Sequence, residues 1–594
     1  MEITRTFDLL ERYAKLFRDK QDVFLSKKNG GWQSFSSQDY INNANYLSYG
    51  LLSFGLKKGD RVASISNNRP EWNFIDMALS QAGLIHVPIY PTISEDDYLY
   101  ILNHCKPKIV FISDKLILEK INHILNQTPS VQKIYTFNEI EGANNWTELK
   151  NEGIEKEKQY TAELQKIKKS INPDDLLTII YTSGTTGNPK GVMLSHKNIL
   201  SNMKAAQCIF YFQPNQRTLS FLPICHIFER MVNYLFQFNA LSIYYAENMG
   251  TIADNLKETK PHIFISVPRL IERVYDKIMA KGRDLGFIKR SIFMWAVKLG
   301  LKYDYVDKGS VFYRLKLSIA DKLIFAKWRE ALGGCTELIV VGSAALQPRL
   351  SRVFGAAGIA VLEGYGLTET SPVIASNNYT TREIKVGTVG PVFKGVEVKI
   401  ADDGEILCKG PNVMLGYYND KKLTEEAIDS DGWFHTGDIG ILVNNKYLKI
   451  TDRKKEIFKL SSGKYIAPQL IENKFKESMY IEQLMVVGEN EKFASALISP
   501  NFQNLHNWCT HHRIRFRDNE QLIKDKRILE LYQKIVININ KTLGQTEQIK
   551  RFRLVCEEWS PVTGELSPTL KLRRNILHKK YKHVLDEIYS VQKI

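Results

Sequence analysis

The 594-residue sequence contains no apolar run of the roughly 18 residues that a transmembrane helix needs. Its first residues, MEITRTFDLLERYAKLF, carry acidic side chains and lack the apolar block of a secretory signal peptide. The seven cysteines are scattered without a Cys-x-x-Cys pair, which argues against a disulfide framework and against a zinc site. Internal repeats and low-complexity segments are missing as well. We therefore expect a cytoplasmic protein, and its length predicts at least two domains.

The sequence also lacks a P-loop, although the stretch YTSGTTGNPKG is rich in glycine and hydroxyl residues. A P-loop needs a Gly-Lys-Ser/Thr step, whereas here Pro189 precedes Lys190 and a glycine follows it. Backbone N–H groups of glycine, hydroxyls and a lysine are nevertheless the groups that bind phosphate. The stretch therefore predicts a phosphate-binding loop, with a tight hairpin turn as the alternative. Its phosphate-binding residues would be Ser183, Gly184, Thr185, Thr186, Gly187 and Lys190.

Several segments show a short apolar strand followed by a loop and an amphipathic helix. This alternation predicts an α/β domain of mixed, largely parallel sheets flanked by helices. Ligands bind such sheets outside the carboxyl ends of the strands, which is where the candidate motifs fall. The segments are LLTIIYT (176–182), TLSFLPICHIFERM (218–231), HIFISVPRLIERVYDKI (262–278), ELIVVGSAAL (337–346) and GIAVLEGYGLTET (358–370).

The pattern changes near residue 385, where turn residues recur and apolar positions alternate. This pattern of turn residues and alternating apolar positions is typical of antiparallel β structure and predicts a β-rich subdomain. A charged, glycine-containing link, TDRKKEIFKLSSGKYIAP, then leads to a basic C-terminal part. We place the domain boundary at Asp452, so that the N-terminal domain spans 1–451 and the C-terminal domain spans 452–594.

The stretch EGYGLTET combines two glycines around Tyr365 with an acid at Glu369. The aromatic ring could cover an adenine, and a carboxylate beside a triphosphate most often holds Mg²⁺, which prefers oxygen ligands. The alternative is a helix N-cap at Thr368 with an acid in the first helical turn.

Two further motifs give weaker signals when each is taken alone. In GWFHTGDIG, Asp438 lies between two glycines and could accept hydrogen bonds from ribose hydroxyls, with a hairpin turn as the alternative. In ELSPTLKLRR, Lys571 reads as an exposed lysine of a basic tail.

In this order, the motifs YTSGTTGNPKG, GYGLTE, TGD and DRKKE resemble the adenylate-forming superfamily of acyl-CoA synthetases, peptide-synthetase adenylation domains and luciferases. The similarity extends over essentially the whole chain. LPICHIFER, SVPRLIERVYDKI and FKLSSGKYIAP resemble the long-chain fatty acyl-CoA synthetase branch. The resemblance implies a large N-terminal domain that binds ATP and the acyl substrate. It also implies a small, mobile α+β C-terminal domain that carries the catalytic lysine.

The resemblance further implies the roles of individual residues. The loop from Thr182 to Lys190 would hold the ATP phosphates. The other members of the implied nucleotide site are Gly342, Ser343, Ala344, Glu363, Gly364, Tyr365, Gly366, Thr368, Asp438 and Arg453. Of these, 342–344, Gly364 and Tyr365 would line adenine, and the last two residues would bind ribose.

The remaining implied roles concern metal, acid and motion. Thr182 and Glu369 would hold Mg²⁺, and His226 would lie beside the substrate carboxylate. Asp452 would be the hinge and Lys571 the catalytic lysine of adenylation. Many relatives have glycine before this lysine, whereas this sequence has Leu570, a change that long-chain relatives often share.

The implied reaction is attack of a carboxylate on the α-phosphorus of ATP, followed by displacement of AMP by a thiol. Because anion approaches anion, Mg²⁺ and lysine must offset the repulsion. We therefore expect a long-chain fatty acid–CoA ligase that uses ATP, Mg²⁺ and CoA. The alternative is an acyl-AMP ligase that passes its acyl group to a carrier protein. A module that only binds nucleotide fits less well, since Lys571, Glu369 and Asp438 are all present.

The formal net charge of +16 is concentrated in two segments. Residues 281–330 hold 12 Lys/Arg against 5 Asp/Glu, or +7, and residues 513–594 hold 18 against 10, or +8. Basic segments suit nucleic acid, an anionic membrane or a polyanion such as CoA, unless they are only solvated helix faces. Nucleic acid would leave the glycine motifs unexplained, so none is expected.

Two stretches add expectations about the acid and its source. Residues 205–245 hold many apolar and aromatic positions, some of which we expect to line an acyl tunnel, although ordinary core packing is the alternative. Basic helices with aromatics can lie on anionic bilayers, which suggests peripheral contact of 281–330 with the inner face of a membrane. The aromatics of that segment are Phe287, Phe293, Trp295, Phe312, Tyr313, Phe325 and Trp328.

Overall fold

The structure is a computed structural model that describes residues 2–182, 188–307, 309–560, 563–567 and 570–590. The chain divides into two compact units. The first comprises Met1–Val398, Cys408–Phe434 and Asn444–Leu448, and the second comprises Lys399–Leu407, His435–Val443 and Lys449–Ile594. The boundary expected at Asp452 stays a prediction.

Strands occur along the whole chain. In chain order they are β1 (Phe24–Lys28), β2 (Gly31–Phe35), β3 (Arg61–Ile65), β4 (Ile85–Ile89), β5 (Ile109–Ile112), β6 (Lys133–Thr136), β7 (Leu176–Thr182), β8 (Lys190–Ser195), β9 (Arg217–Ser220), β10 (Ser242–Tyr245), β11 (Ile263–Ser266), β12 (Leu338–Val341), β13 (Ala360–Gly366), β14 (Val373–Ser376), β15 (Gly390–Pro391), β16 (Glu397–Ile400), β17 (Glu405–Lys409), β18 (Gly416–Tyr417), β19 (Phe434–Val443), β20 (Tyr447–Arg453), β21 (Phe458–Lys459), β22 (Tyr465–Ile466), β23 (Ile481–Val487), β24 (Ser495–Pro500) and β25 (Arg551–Leu554).

Helices alternate with these strands. In chain order they are α1 (Asp8–Leu16), α2 (Ser37–Ser53), α3 (Pro70–Gln81), α4 (Glu95–Cys105), α5 (Lys115–Ile124), α6 (Trp146–Glu155), α7 (Glu157–Ser170), α8 (His196–Ala206), α9 (Ile227–Phe238), α10 (Ile252–Thr259), α11 (Pro268–Arg283), α12 (Phe287–Gly300), α13 (Val311–Ala320), α14 (Ala326–Ala331), α15 (Pro348–Ala356), α16 (Lys421–Ala427), α17 (Pro468–Phe475), α18 (Phe502–His511), α19 (Asn519–Leu522), α20 (Lys526–Asn540), α21 (Arg574–Lys580) and α22 (Lys582–Ser590).

Three sheets organise the first unit. The largest has the strand order β18-β8-β7-β4-β3-β5-β6, in which the run from β7 to β6 is parallel and β7–β8 and β8–β18 are antiparallel. A second sheet has the order β2-β1-β10-β9, and a third has β11-β12-β13-β14, with β11 to β13 parallel. This architecture confirms the predicted α/β class with mixed, largely parallel sheets.

The second unit contains a smaller α+β body. Strands β23, β24 and β25 form a sheet in that order, with an antiparallel and then a parallel pair. Apolar residues of α17, α18 and α20 form one buried cluster with this sheet. A second cluster contains Trp559, Leu566 and Leu577.

The segments that sequence patterns mark as strand–loop–helix fold in that way. Apolar, β-branched residues make β7, β11, β12 and β13 largely buried strands, as expected for parallel sheets covered on both faces. Proline then begins α11 and α15, where its missing N–H costs no helical hydrogen bond. No helix in the described ranges has both the length and the apolar character to cross a bilayer.

Candidate active site

The predicted phosphate loop connects two antiparallel strands of the largest sheet. Thr182 ends β7 and Lys190 begins β8, and the two residues are register partners. Residues 183–187, which include the predicted ligands Ser183, Gly184, Thr185, Thr186 and Gly187, lie outside the described residues. The Thr182 hydroxyl and the Lys190 ammonium, which precede and follow these residues, thus belong to paired positions at the same end of β7 and β8.

Tyr417 connects this edge to the predicted metal ligand. Its hydroxyl donates a 2.9 Å hydrogen bond to Oε1 of Glu369, and the Lys190 ammonium lies 5.3 Å from the centre of its ring. The Glu369 carbonyl also accepts a 2.8 Å hydrogen bond from the N–H of Met414. Sequence reasoning missed Tyr417; the signal was an aromatic pair after glycine in MLGYY, which only strand pairing with β8 brings to the site.

These residues suit Mg²⁺ bound together with a nucleotide. One carboxylate oxygen of Glu369 bonds Tyr417, and the threonine hydroxyl of Thr182 is a second oxygen donor at this edge of the sheet. Mg²⁺ is commonly held by one or two carboxylates plus substrate phosphates rather than by a complete protein cage. Among the described residues, no group of three or more His, Cys, Asp or Glu side chains could hold a metal ion by itself.

The predicted adenine residues follow two neighbouring parallel strands. Residues 342–344 follow β12, and residues 364–366 end β13. Because the two strands are parallel neighbours, both segments lie at the carboxyl ends of the strands of the third sheet. A side chain at Gly366 would come within 1.7 Å of the Pro372 carbonyl oxygen, so only glycine fits there. At Gly342 an added Cβ would lie 3.0 Å from the ring of Phe228. The backbone can therefore pass close to its neighbours at both positions.

Glu363 has a positioning role in this region. Its buried carboxylate accepts a 2.9 Å hydrogen bond from the N–H of Leu346 and thereby holds the loop that follows β12. Burial raises the pKa of this carboxyl group to about 7, which the hydrogen bond partly opposes. Direct contact of Glu363 with nucleotide stays a prediction. Thr368 is buried at the start of a short 3₁₀ helix, Thr368–Thr370, that carries Glu369.

His226 is the N-cap of α9, and its Nδ1 accepts a 3.2 Å hydrogen bond from the N–H of Phe228. The same helix borders an apolar cavity of about 30 Å³. The cavity reaches Gly364 of the predicted adenine site, and it is lined otherwise by Ala206, Ile209, Phe212, Phe228, Met231, Val232, Leu235, Phe236, Ile263, Ile265, Val340, Val373 and Ser376. Many lining residues come from the 205–245 stretch in which an acyl tunnel is predicted.

The predicted ribose residues lie together in the second unit. The guanidinium Nε of Arg453 is 3.3 Å from Oδ1 of Asp438, which is 5% exposed. The alternative of a hairpin turn at this motif is wrong, because Asp438 lies within the continuous strand β19. The strand is locally distorted, since Gly437 has φ of 70° and donates its N–H to the carboxylate of Glu405.

The predicted hinge residue, Asp452, is buried in the second unit. Its carboxylate accepts hydrogen bonds from the N–H groups of Arg453 at 2.6 Å and Gln469 at 3.3 Å. The second bond places an acid at the N-terminus of α17, where the helix dipole favours negative charge. Burial nevertheless raises the pKa of Asp452 to about 7. Its hinge role stays a prediction.

Lys571 lies in the second unit, and its backbone is hydrogen-bonded to Ser567. Its N–H donates to Oγ of Ser567 at 3.1 Å, and its carbonyl accepts the Ser567 N–H at 2.8 Å. The flanking Leu570 and Leu572 pack on the cluster around Trp559, while Lys571 itself is exposed. Leu570 has φ of 61°, a conformation that glycine adopts without steric cost, which explains why glycine suits this position in relatives.

Replacing Tyr417 by phenylalanine is expected to weaken use of MgATP several-fold while leaving the fold intact. The change removes the 2.9 Å hydrogen bond to Glu369 but keeps the ring beside Lys190. A hydrogen bond to a charged group contributes about 1.5–3 kcal/mol, and water can replace part of it at this partly exposed site. The KM for MgATP, measured at saturating acid and CoA, is the test.

The matched control is Tyr418→Phe, one residue further along the chain. An unchanged KM in Tyr417→Phe, or an equal change in both variants, would remove Tyr417 from the site.

Comparison with known proteins agrees with this layout. Residues 10–418 match the model of the AMP-binding enzyme family, and residues 455–593 match that of the AMP-binding enzyme C-terminal domain. The chain is 30% identical over 581 residues to the long-chain-fatty-acid–CoA ligase FadD15 of Mycobacterium bovis, which covers 96% of this chain and 95% of that protein. It is 33% identical over 624 residues to the long-chain-fatty-acid–CoA ligase 1 of Cavia porcellus, covering 100% and 88%.

A solved structure shows the same fold. The adenylation domain of a carboxylate reductase from Mycobacterium chelonae matches with a TM-score of 0.75 and 20% identity, over 99% of this chain and 91% of that chain.

Proposed function

We propose, because the chain belongs to the AMP-binding enzyme family, that it is an AMP-forming ligase that joins a long-chain fatty acid to CoA. The observation that carries the choice of acid is the apolar cavity beside α9. One end of this helix presents His226, and its next turns line the cavity up to Gly364. A carboxylate at His226 with its acyl chain along α9 would therefore extend from the nucleotide edge into apolar surroundings.

The cavity of about 30 Å³ has room for no more than a few water molecules, so an acyl chain enters only when lining side chains move. We expect the Phe228 side chain to move, since it lines the cavity and its ring lies against Gly342. Because glycine has no Cβ, it leaves the ring space that a larger residue would occupy. Each buried methylene of the acid contributes about 0.8 kcal/mol. A longer chain thus binds more strongly until its end reaches water.

In the first reaction, the acid carboxylate attacks the α-phosphorus of ATP and pyrophosphate leaves. His226 orients the carboxylate at the end of α9, and Lys190 lies at the phosphate loop, where its charge offsets that of the approaching anions. Thr182 and Glu369 would hold Mg²⁺, which supplies further positive charge at the phosphates. In the second reaction, the CoA thiol attacks the acyl carbonyl and AMP leaves.

Location in the cytoplasm, with peripheral contact to the inner face of a membrane, is part of this proposal. All seven cysteines are free thiols, which supports a reducing compartment.

The products provide the test of the proposal. We expect AMP and pyrophosphate from ATP, with kcat/KM increasing from C8 to C14 acids by several orders of magnitude at most. The measurement is AMP formation with CoA across carboxylic acids from acetate to oleate. Release of ADP and phosphate as main products would contradict the ligase chemistry, and a higher kcat/KM for acetate or benzoate than for palmitate would contradict the long-chain assignment.

The second candidate, an acyl-AMP ligase for a carrier protein, differs only in the acceptor. The basic stretch 513–594 favours CoA, whose phosphates are negatively charged. Acyl transfer to a carrier protein at a rate that CoA does not match would favour the second candidate instead.

A further inference from the structure

Helix α13 and the π-helical turn after it, Asp321–Phe325, carry an apolar stripe that faces solvent. The stripe consists of Phe312, Leu315, Ile319 and Leu323, which are 78%, 61%, 46% and 49% exposed. Their spacing of three, four and four residues places them on one face of the helix, over about 16 Å. A row of large apolar side chains on the outside differs from single exposed residues, which are normal on protein surfaces.

The fold does not bury this stripe, because α13 contacts the first unit through its other face. Ala320 is the residue of α13 that is fully buried. Tyr313 and Leu317 are half-buried, and the Tyr313 hydroxyl donates a 3.2 Å hydrogen bond to the carbonyl of Leu299 in α12. The stripe is therefore the face of α13 that the rest of the first unit does not cover.

Cationic side chains accompany the stripe. Arg314, Lys316 and Lys322 are exposed, and none of them forms an ion pair with the described residues. The acid within 311–325 is Asp321, and its carboxylate is paired with Arg329. The segment thus combines outward apolar groups with uncompensated positive charge.

We propose that this stripe and its cations dock on an anionic lipid bilayer. The apolar side chains would enter the boundary between headgroups and acyl chains, and Arg314, Lys316 and Lys322 would meet lipid phosphates. A second copy of the chain fits less well, because a twofold contact sets each patch against itself and brings like charges together. Gathering of a poorly soluble acid at this surface rests on the proposed ligase function, whereas binding to lipid does not depend on ligase activity.

The structure corrects the expectation that aromatics of 281–330 form the membrane surface as a group. Phe293, Phe325 and Trp328 belong to the core, with exposures of 4%, 0% and 3%. Phe287 and Phe312 are 76% and 78% exposed. Phe312 begins the stripe, whose other three residues are aliphatic. Sequence reasoning missed them because their role depends on which face of α13 the core covers.

Vesicle flotation of the full chain at low salt tests the proposal. We expect it to float with vesicles containing phosphatidylglycerol and to remain at the bottom with phosphatidylcholine alone. The variant Arg314→Glu/Lys316→Glu/Lys322→Glu should lower the partition coefficient at least about 10²-fold, since each basic residue near an anionic surface contributes about fivefold. Leu315→Gln/Ile319→Gln should lower it on the same vesicles. The control Lys115→Glu/Leu116→Gln, at an exposed site on α5 where Leu116 is 73% exposed, should leave it unchanged.

A wild-type protein that does not float, or variants that float like the control, would overturn the proposal. If Leu315→Gln/Ile319→Gln instead converts a dimer to a monomer in sedimentation and leaves flotation unchanged, the surface binds a second copy and the proposal is wrong. AMP formation with octanoate in vesicle-free buffer is measured in parallel. It tests the ligase alone, so loss of flotation and failure of the ligase assignment give separate results.

Discussion

The Lys571→Ala variant is expected to form acyl-AMP about 10²- to 10³-fold more slowly than the wild type, yet to convert supplied acyl-AMP and CoA to thioester at close to the wild-type rate. Adenylation brings a carboxylate towards a triphosphate, and a lysine at the phosphorus stabilises the negative charge of the transition state. Loss of one such group typically costs about 3–4 kcal/mol. Thioester formation from acyl-AMP needs no such charge at that position.

This selectivity follows from the two-pose mechanism that the family resemblance implies. The C-terminal domain would present Lys571 to ATP in one pose and withdraw it in the other, so that one site serves two reactions. Removal of the side chain should leave the backbone at Lys571 in place, because hydrogen bonds of that backbone to Ser567 and the packing of Leu570 and Leu572 hold it. An exposed lysine contributes little to the free energy of unfolding.

The two half-reactions are measured separately, by pyrophosphate release without CoA and by thioester formation from synthetic acyl-AMP. Arg573→Ala is the matched control, because Arg573 is an exposed cation two residues away in the same stretch. Equal losses in both half-reactions of Lys571→Ala would identify a structural or CoA-binding residue and remove the main support for two poses.

The sequence predicts the parallel α/β core well because local patterns and the final packing agree there. The buried strand 176–182 and the proline-initiated helix after 266 follow from residue type alone. The motif around Asp438 shows the opposite case. A glycine on each side of Asp438 made a hairpin turn the alternative prediction. In the structure, this segment instead belongs to the long strand β19, which includes Asp438.

Parts of the candidate site could not be predicted because they depend on contacts between distant segments. Tyr417 reaches Glu369 only because β18 pairs with β8, more than 200 residues earlier in the chain. Similarly, Glu363 has the appearance of a nucleotide ligand in EGYGLTET, but its carboxylate accepts a hydrogen bond from the N–H of Leu346, in the loop that follows the neighbouring strand β12. No periodicity or motif encodes either contact.

A buried ionic network beneath α9 is also invisible in the sequence. Arg230, whose side chain is fully buried, pairs with Asp76 of α3 and donates a 2.7 Å hydrogen bond to Thr178 of β7. The other oxygen of Asp76 accepts the Tyr234 hydroxyl, and His86 bonds Asp76 at 2.7 Å. Burial alone would raise the pKa of Asp76, but the Arg230 charge and these hydrogen bonds outweigh it and lower the pKa.

Arg230→Met is accordingly expected to lower the free energy of unfolding of the first unit by about 3–5 kcal/mol. The variant leaves the Asp76 carboxylate buried without its cation, and methionine fills the space of the guanidinium stem. Since the carboxylate has a depressed pKa in the folded protein, its contribution is present at neutral pH. That contribution is lost only as the pH falls from the unfolded value near 4 through the lower folded pKa.

Arg230 lies one turn after His226 and donates its N–H to the His226 carbonyl at 3.0 Å, so loss of the pair should also loosen the end of α9 where we propose that the acid binds. Denaturant unfolding followed by tryptophan fluorescence suits the test, because the ring centroid of Trp72 lies 5.1 Å from that of His86. In the double variant Asp76→Leu/Arg230→Met no charge of the pair remains. The decrease in its free energy of unfolding should therefore be smaller, by more than about 1 kcal/mol, than the sum of the decreases in Asp76→Leu and Arg230→Met. Additive losses would show that the two charges stabilise the fold independently, and the paired network would then not be what holds α9 against α3 and β7.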